Sequence, residues 1–167
     1  MTIEVRPVRS DERAEAGRVT ALAYREFVRP GDRAWEEYLD HIADVGDRAE
    51  RALVLVAVEE GRILGSATLE LEERVEPEDD PALAPDESHI RMLGVDPAAR
   101  GGGVGRSLMQ AGIERARVQG KRFVTLRTTP VMTAAQALYA SMGFELDPAH
   151  DMVFDNGFRL IAYRLHL

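Results

Sequence analysis

From Ile90 to Arg106 the chain runs through an apolar stretch, a proline turn and a nearly unbroken glycine arc, an order that leaves few folds open to it. The run Ile90 to Val95 reads as a strand. Asp96-Pro97 turns the chain, and Ala98-Ala99-Arg100-Gly101-Gly102-Gly103-Val104-Gly105-Arg106 follows. Val104, Leu108, Met109, Gly112, Ile113 and Ala116 then recur at helical spacing, so the arc opens a helix. A strand, a glycine loop and a helix N-terminus in succession make an anion site. Backbone N–H groups close around an oxyanion with no side chains in the way, and the helix dipole adds positive potential. Arg100 and Arg106 flank the loop with charge.

Two common phosphate loops fail on their residues. A Walker-type loop requires Lys and then Ser or Thr after its last glycine, and here Arg106 and Ser107 follow Gly105. A dinucleotide fingerprint starting at Gly103 passes through Gly105 but meets Leu108 where Gly or Ala belongs. It would also belong to the first strand–helix unit of its domain, and this loop lies past the middle of the chain. What survives is Arg100-x-x-Gly103-x-Gly105, with further glycines at Gly101 and Gly102.

A second block, Ala135-Gln136-Ala137-Leu138-Tyr139-Ala140-Ser141-Met142-Gly143-Phe144, lies one helix and one strand downstream. Together the two blocks resemble the GNAT superfamily of acetyl-CoA-dependent N-acetyltransferases: its pyrophosphate loop, and its later helix with a Leu-Tyr pair before a Gly-Phe turn. The resemblance covers nearly the whole chain in element order, though its specific motifs occupy only the second half. It implies an α+β fold in which a mixed, mostly antiparallel sheet, flanked by about four helices, splays open around the cofactor cleft. The cosubstrate it implies is acetyl-CoA.

Length and composition set outer bounds. With 167 residues the chain has the size of one domain spanning 1–167. No apolar run approaches membrane-spanning length, and the N-terminus lacks signal-peptide architecture, so a cytoplasmic protein is expected. The absence of cysteine excludes disulfides, thiolate metal sites and a cysteinyl acyl intermediate. A net charge of −8 argues against nucleic acid and acidic membranes as partners. His41, His150 and His166 are scattered without ligand spacing, so no metal is expected. Nothing marks a sheet edge for pairing; a homodimer is carried only as an expectation from relatives.

The pattern gives a first strand at Ile3–Val5 with Val8, then a helix capped by Ser10 and carrying Ala14, Val19, Leu22, Ala23 and Phe27. Pro30-Gly31-Asp32 breaks it, and a second helix with Trp35, Tyr38, Leu39 and Ile42 on one stripe ends near Gly46. Leu53–Val58 and Arg62–Glu72 are strands joined across Glu60-Gly61. Glu70, Glu72, Glu73, Glu76, Glu78, Asp79, Asp80, Asp86 and Glu87 crowd the next segment, which Pro77, Pro81 and Pro85 punctuate. It reads either as a solvated loop or as a funnel for a cationic amine. After the glycine-loop helix come a strand at Phe123-Val124-Leu126, the Tyr139 helix and two closing strands near Phe144 and Phe158–Leu165, with a turn at Asn156-Gly157.

Acyl transfer to an amine needs a neutral amine, a donor for the carbonyl oxygen and a proton for the departing thiolate. With no cysteine and no Ser-His-Asp constellation, direct attack in a ternary complex is expected. The resemblance implies that backbone groups of Leu93 and Val95 meet the pantetheine and acetyl carbonyl. By the same match, Arg100, Gly101, Gly102, Gly103, Val104, Gly105 and Arg106 hold the pyrophosphate. Tyr139 is matched to the general acid against the thioester sulfur; a core tyrosine on an amphipathic helix fits its surroundings equally well. Relatives often carry Glu at the start of the strand before the loop; here that position is His89, with Glu87 two residues earlier on the same side. Either is a candidate base, with a partly exposed strand histidine as the structural alternative and loss of the amine proton to solvent through ordered water as the other route. An Asn common before the Tyr helix is replaced by Met132, and Thr133 supplies a hydroxyl that either contacts the pantetheine arm or caps the helix. Phe27, Trp35, Tyr38 and the acidic segment are the candidate acceptor walls. The expected activity is acetylation of a small primary amine; a protein or peptide N-acetyltransferase and a non-catalytic acyl-CoA-binding module remain as alternatives.

Overall fold

The computed structural model describes residues 2–75 and 82–167. Glu76, Glu78, Asp79 and Asp80 of the acidic segment, with Pro77 and Pro81, lie outside the described residues. In chain order the elements are β1 (Glu4–Pro7), α1 (Arg13–Tyr24), α2 (Arg33–Ala43), α3 (Val45–Arg51), β2 (Leu53–Glu59), β3 (Arg62–Glu70), β4 (Glu87–Val95), α4 (Val104–Val118), β5 (Phe123–Thr128), α5 (Thr133–Ser141), β6 (Glu145–Leu146), β7 (Met152–Val153) and β8 (Arg159–His166).

Among the described residues the strands form one sheet in the order β1-β2-β3-β4-β5-β8-β6, with β7 also paired to β8. All pairs are antiparallel except β4–β5. The β2–β3 hairpin turns at Glu60 and Gly61, both with positive φ (49° and 78°), as a two-residue turn between right-twisted strands requires. β2 is buried on both faces. Leu55 and Ala57 pack with Leu108 and Met109 of α4, while Val54, Val56 and Val58 pack with Ala16, Val19 and Val45 of α1 and α3. This two-sided cover explains why β2 reads as a continuous apolar run rather than an alternating one.

The parallel pairing of β4 with β5 runs only from Glu87↔Phe123 to His89↔Thr125, and beyond His89 the two strands separate. On the other edge of β4, Ser66 pairs with Gly94 and Thr68 with Arg91, so Ala67 alone faces both Met92 and Leu93. Met92 takes φ 53°, a left-handed conformation uncommon for a residue with a side chain. This β-bulge bends the strand where the sheet opens. The splayed, mostly antiparallel sheet of the expected fold is therefore present.

Two helix boundaries differ from the sequence pattern. Ser10 does not cap α1; Ser10–Glu12 form a 3-10 turn, and the Glu12 carboxylate accepts from Arg9 N at 3.0 Å and from Arg6 at 2.6 and 2.8 Å. The Arg6 guanidinium holds the Glu12 carboxyl down at about 2. The expected helix ending near Gly46 is two helices, which brings the α-helices among the described residues to five. The buried Arg48 side chain folds back from α3 and donates to His41 O (2.9 Å) and Ile42 O (2.7 Å), ending α2 by satisfying its last carbonyls. Asp44 meanwhile caps α3 through Asp47 N at 3.1 Å. Asp32 caps α2 through Trp35 N at 3.3 Å.

Candidate active site

Where β4 and β5 part, two cavities meet. The first, about 520 Å³, lies between the glycine loop, Leu93–Val95 of β4, the end of α1 and the first turns of α5. Gly103 is the N-cap of α4 with φ 82°, and Gly101 shares that φ. A side chain at either position is strained, which explains why glycine stands there. Gly105 lets α4 approach α5, since a Cβ there would stand 3.3 Å from Leu138 Cδ2. The loop's arginines are braced: Arg100 reaches Glu26 at 2.5 Å and Ala23 O at 3.2 Å, and Arg106 donates to Ser141 Oγ at 2.6 Å. Of the residues expected at the cofactor, Leu93, Val95, Arg100, Gly101, Gly103, Val104, Gly105, Arg106 and Thr133 line this cavity. Gly102 and Tyr139 do not. Thr133 is the first residue of α5, not its cap; that position belongs to Met132.

The second cavity, about 480 Å³, lies on the far side of the opening and takes its walls from α1, α2, β4, β5 and the β7–β8 hairpin. Tyr24 and Met132 line both cavities and mark their junction. α1 is fixed above this point by close packing and a hydroxyl pair. A Cβ on Gly94 would stand 3.1 Å from Ala23 Cβ, and Ser66 meets Thr20 Oγ1 at 2.5 Å while Thr20 donates to Ala16 O. Of the candidate acceptor walls, Trp35 and Tyr38 line the second cavity and Phe27 lines the first.

His89 lines the second cavity but is otherwise buried, at 3 % exposure, rather than a partly exposed strand residue. Its Nδ1 lies 2.8 Å from Thr125 Oγ1, and that hydroxyl donates to Glu87 Oε2 at 2.5 Å. A hydroxyl has one proton to give, so Nδ1–H must be the donor to Thr125 and Nε2 carries the lone pair. Burial, with Arg74, Arg91 and Arg127 adding to it, pushes the His89 imidazole well below 6.5. The ring is thus held neutral and in one tautomer. Glu87 also accepts from Ala84 N at 3.1 Å and faces Arg74 at 3.5 Å. It does not line the cavity; it positions His89 through Thr125.

Tyr139 is buried among Phe144 and Tyr163, with ring centroids 6.0 and 5.8 Å away. Burial and the neighbouring Tyr163 phenol raise its pKa well above the ordinary value, so it keeps its proton. Tyr24 is raised as well, by burial and then by Tyr139 and Tyr38. The two phenols therefore stand within electrostatic reach, Tyr24 at the cavity junction and Tyr139 behind it.

The acidic segment does not form a funnel at this cavity among the described residues. Glu70 points inward, fully buried, where it faces Arg91 at 3.5 Å and Arg74 at 3.6 Å and accepts from Val75 N. Of that segment's described acids none lines the second cavity, where Asp32 is the one carboxylate among the described lining residues. Among the described residues there is no group of three or more side chains able to hold a metal ion, and no helix is long and apolar enough to cross a membrane. Sequence reasoning missed Tyr24, Thr125 and Arg127. Thr125 enters only through the register His89↔Thr125, which no local pattern encodes.

Residues 17–144 match the family model described as the acetyltransferase (GNAT) family. A curated relative, the mycothiol acetyltransferase of Sanguibacter keddieii, is 37% identical over 90 residues, which is 54% of this chain and 27% of that protein. The chain spans less than a third of the length of the mycothiol acetyltransferases it matches. Among solved structures, the PaiA N-acetyltransferase of Thermoplasma acidophilum in complex with coenzyme A superposes with a TM-score of 0.75 at 13% identity, covering 99% of this chain and 100% of that one. A GNAT family acetyltransferase of Brucella melitensis in complex with acetyl-CoA gives a TM-score of 0.60 at 25% identity, covering 86% and 83%.

Proposed function

Since the chain belongs to the acetyltransferase (GNAT) family, we propose that it is an acetyl-CoA-dependent N-acetyltransferase acting on a primary amine of a small molecule. The observation that carries this reading is the junction itself: a phosphate-type loop opens one cavity, and a neutral histidine whose Nε2 has no hydrogen-bond partner among the described residues lines the other. The loop fits the pyrophosphate because Gly101 and Gly103, at φ 82° with open space where a Cβ would stand, keep side chains away from the start of α4. Leu93 and Val95 lie on the half of β4 past its last pairing with β5, so that edge has no ladder partner there and can meet a pantetheine arm.

Acetyl-CoA, when bound, supplies the thioester: the amine nitrogen bonds to the acyl carbon, the C–S bond breaks, and an N-acetyl amide and free CoA thiol result. The amine arrives neutral, and the uncharged His89 Nε2 accepts its N–H and takes that proton only as the N–C bond forms and makes the nitrogen acidic, while the Thr125–Glu87 pair holds Nδ1–H. Backbone N–H groups of the bulged Met92–Val95 segment offer donors to the carbonyl oxygen as it gains charge. The family resemblance matches Tyr139, protonated throughout the working range, to the donor of the proton to sulfur, although Tyr139 lines neither cavity. A second reading gives that step to Tyr24, because Tyr24 and not Tyr139 lines both cavities.

Calorimetric titration with acetyl-CoA, repeated with dephosphorylated pantetheine, tests the cofactor assignment. Micromolar binding that disappears without the pyrophosphate supports it. Equal binding of the two ligands, or none of either, removes it.

A further inference from the structure

Half of the chain's aromatic residues line the second cavity: Tyr24, Trp35, Tyr38, Phe154 and Phe158. Trp35 and Tyr38 come from α2, Phe154 and Phe158 from the turn between β7 and β8. Four of the rings meet in a row: Trp35 lies 5.7 Å from Tyr38 and 6.3 Å from Phe158, and Phe158 lies 5.8 Å from Phe154. The backbone holds both ends of the row. Asp32 caps α2 through Trp35 N at 3.3 Å, which fixes the helical turn carrying that ring. At the hairpin, Phe154 N donates to Phe158 O at 2.8 Å and Phe158 N donates to Asn156 Oδ1 at 2.9 Å, while Gly157 takes φ 84° to close the turn. Phe154 and Phe158 are nevertheless 39 % and 37 % exposed. Contiguous apolar surface left open inside a cleft marks a ligand site rather than core. Met152 and Leu160, cross-strand partners on the same hairpin, extend that surface along the cavity. His89 belongs to β4 and these rings to α2 and the hairpin, so one ligand can set an amine at the first and an apolar body at the second.

We propose that the acceptor is a primary amine with an aromatic body, whose amine meets His89 and whose ring enters the corner between Trp35 and Phe158. The planes of those two rings stand 83° apart. A planar guest in such a corner lies offset on one ring while it presents its edge to the other. Both are favoured geometries for aromatic pairs, and an aliphatic body gains neither. Burial of the guest's apolar area adds the larger and less selective share of the binding. The proposal rests on the N-acetyltransferase reading above and names the substrate class of that site; the guest's ring takes no part in the bond changes. Ring faces also attract cations, so a polyamine is the contrasting ligand. The acceptor volume of about 480 Å³ falls within the roughly 300–1,000 Å³ of small-molecule sites.

The test compares 2-phenylethylamine, 2-cyclohexylethylamine, ethylamine and spermidine as acceptors for the purified protein. Release of CoA thiol from acetyl-CoA is followed, and kcat/KM is referred to the neutral form of each amine. 2-Phenylethylamine is expected to exceed ethylamine and spermidine by about tenfold or more, from buried ring area, and the cyclohexyl analogue by about threefold, from ring geometry. Phe158→Leu is expected to raise KM for 2-phenylethylamine and to erase its advantage over the cyclohexyl analogue. Binding of acetyl-CoA by that variant checks its folding, and the comparison among ligands on the unaltered protein does not depend on it. Trp35 is the chain's one tryptophan, so its fluorescence reports on the corner directly. With CoA present, 2-phenylethylamine is expected to change that emission saturably. Ethylamine, spermidine or the cyclohexyl analogue used as well as 2-phenylethylamine overturns the proposal. So does an advantage that survives Phe158→Leu, or a Trp35 emission that 2-phenylethylamine leaves unaltered. If acetyl-CoA binds and none of the amines turns over, the aromatic-amine class is wrong while the cofactor reading stands. If acetyl-CoA does not bind, both fall.

Discussion

The two cavities are nearly equal in volume, about 520 and 480 Å³, and are made of different materials. The proposed cofactor cavity is framed by a loop with two glycines at φ 82°, a helix start and the part of β4 past its last pairing with β5. The proposed acceptor cavity gathers residues from α1, α2, β4, β5 and the β7–β8 hairpin. A backbone site recognises what many ligands share, a phosphate. A side-chain site recognises what distinguishes one ligand from another. Sequence change therefore acts differently on the two, and each can be broken without the other.

The largest separation is expected at His89. His89→Gln removes the base and should lower kcat by about a hundredfold or more while acetyl-CoA affinity, measured by calorimetry, stays the same. An unchanged kcat would mean that solvent accepts the amine proton. The paired phenols come next. Tyr139→Phe should lower kcat by roughly tenfold to a hundredfold with acetyl-CoA binding retained, and Tyr24→Phe by less. The reverse order in steady-state rates would move the proton donor to the junction residue. On the cofactor side, Gly103→Val forces a branched side chain into the left-handed region and should weaken acetyl-CoA binding by about tenfold. Affinity equal to that of the unaltered protein would show that the loop's conformation is not what holds the ligand.

Smaller effects sharpen the acceptor side. Thr125→Val leaves Nδ1–H of His89 without its acceptor and should lower kcat by about threefold to tenfold, with Thr125→Ser restoring it. A kcat unaltered by Val would exclude a positioning role. Stability should also respond to pH through His89, in a direction set by its buried neutral ring. The unfolded chain binds a proton as pH falls through about 6.5 and the folded chain does not, so stability falls below that pH. The contribution has a slope of at most about 1.4 kcal/mol per pH unit and ends at the folded pKa. Urea midpoints at successive pH values should show it, and His89→Gln should flatten it.

Much of the fold was legible because its signals are local. Glu60-Gly61 marks the hairpin, Asp32 the start of α2, and alternation with helical spacing the strands and α4. The division of α2 from α3 was not legible. It depends on Arg48 reaching back to His41 O and Ile42 O, a contact that helical periodicity does not record. The same holds for the bulge at Met92, which arises from pairing against Ala67 and not from a glycine that would have announced it.

The sequence by itself determined the glycine loop, the helix it opens and hence the side of the molecule proposed to take the phosphate, because backbone conformation is written in consecutive residues. It also paired His89 and Glu87 on one side of a strand. Only the tertiary structure set Thr125 between them, put Tyr24 rather than Tyr139 on the cavity walls, and turned Glu70 inward onto Arg91 and Arg74. Those arrangements depend on strand register and helix crossing, which join residues distant in the chain. A cavity made of such residues has no local pattern from which to be read.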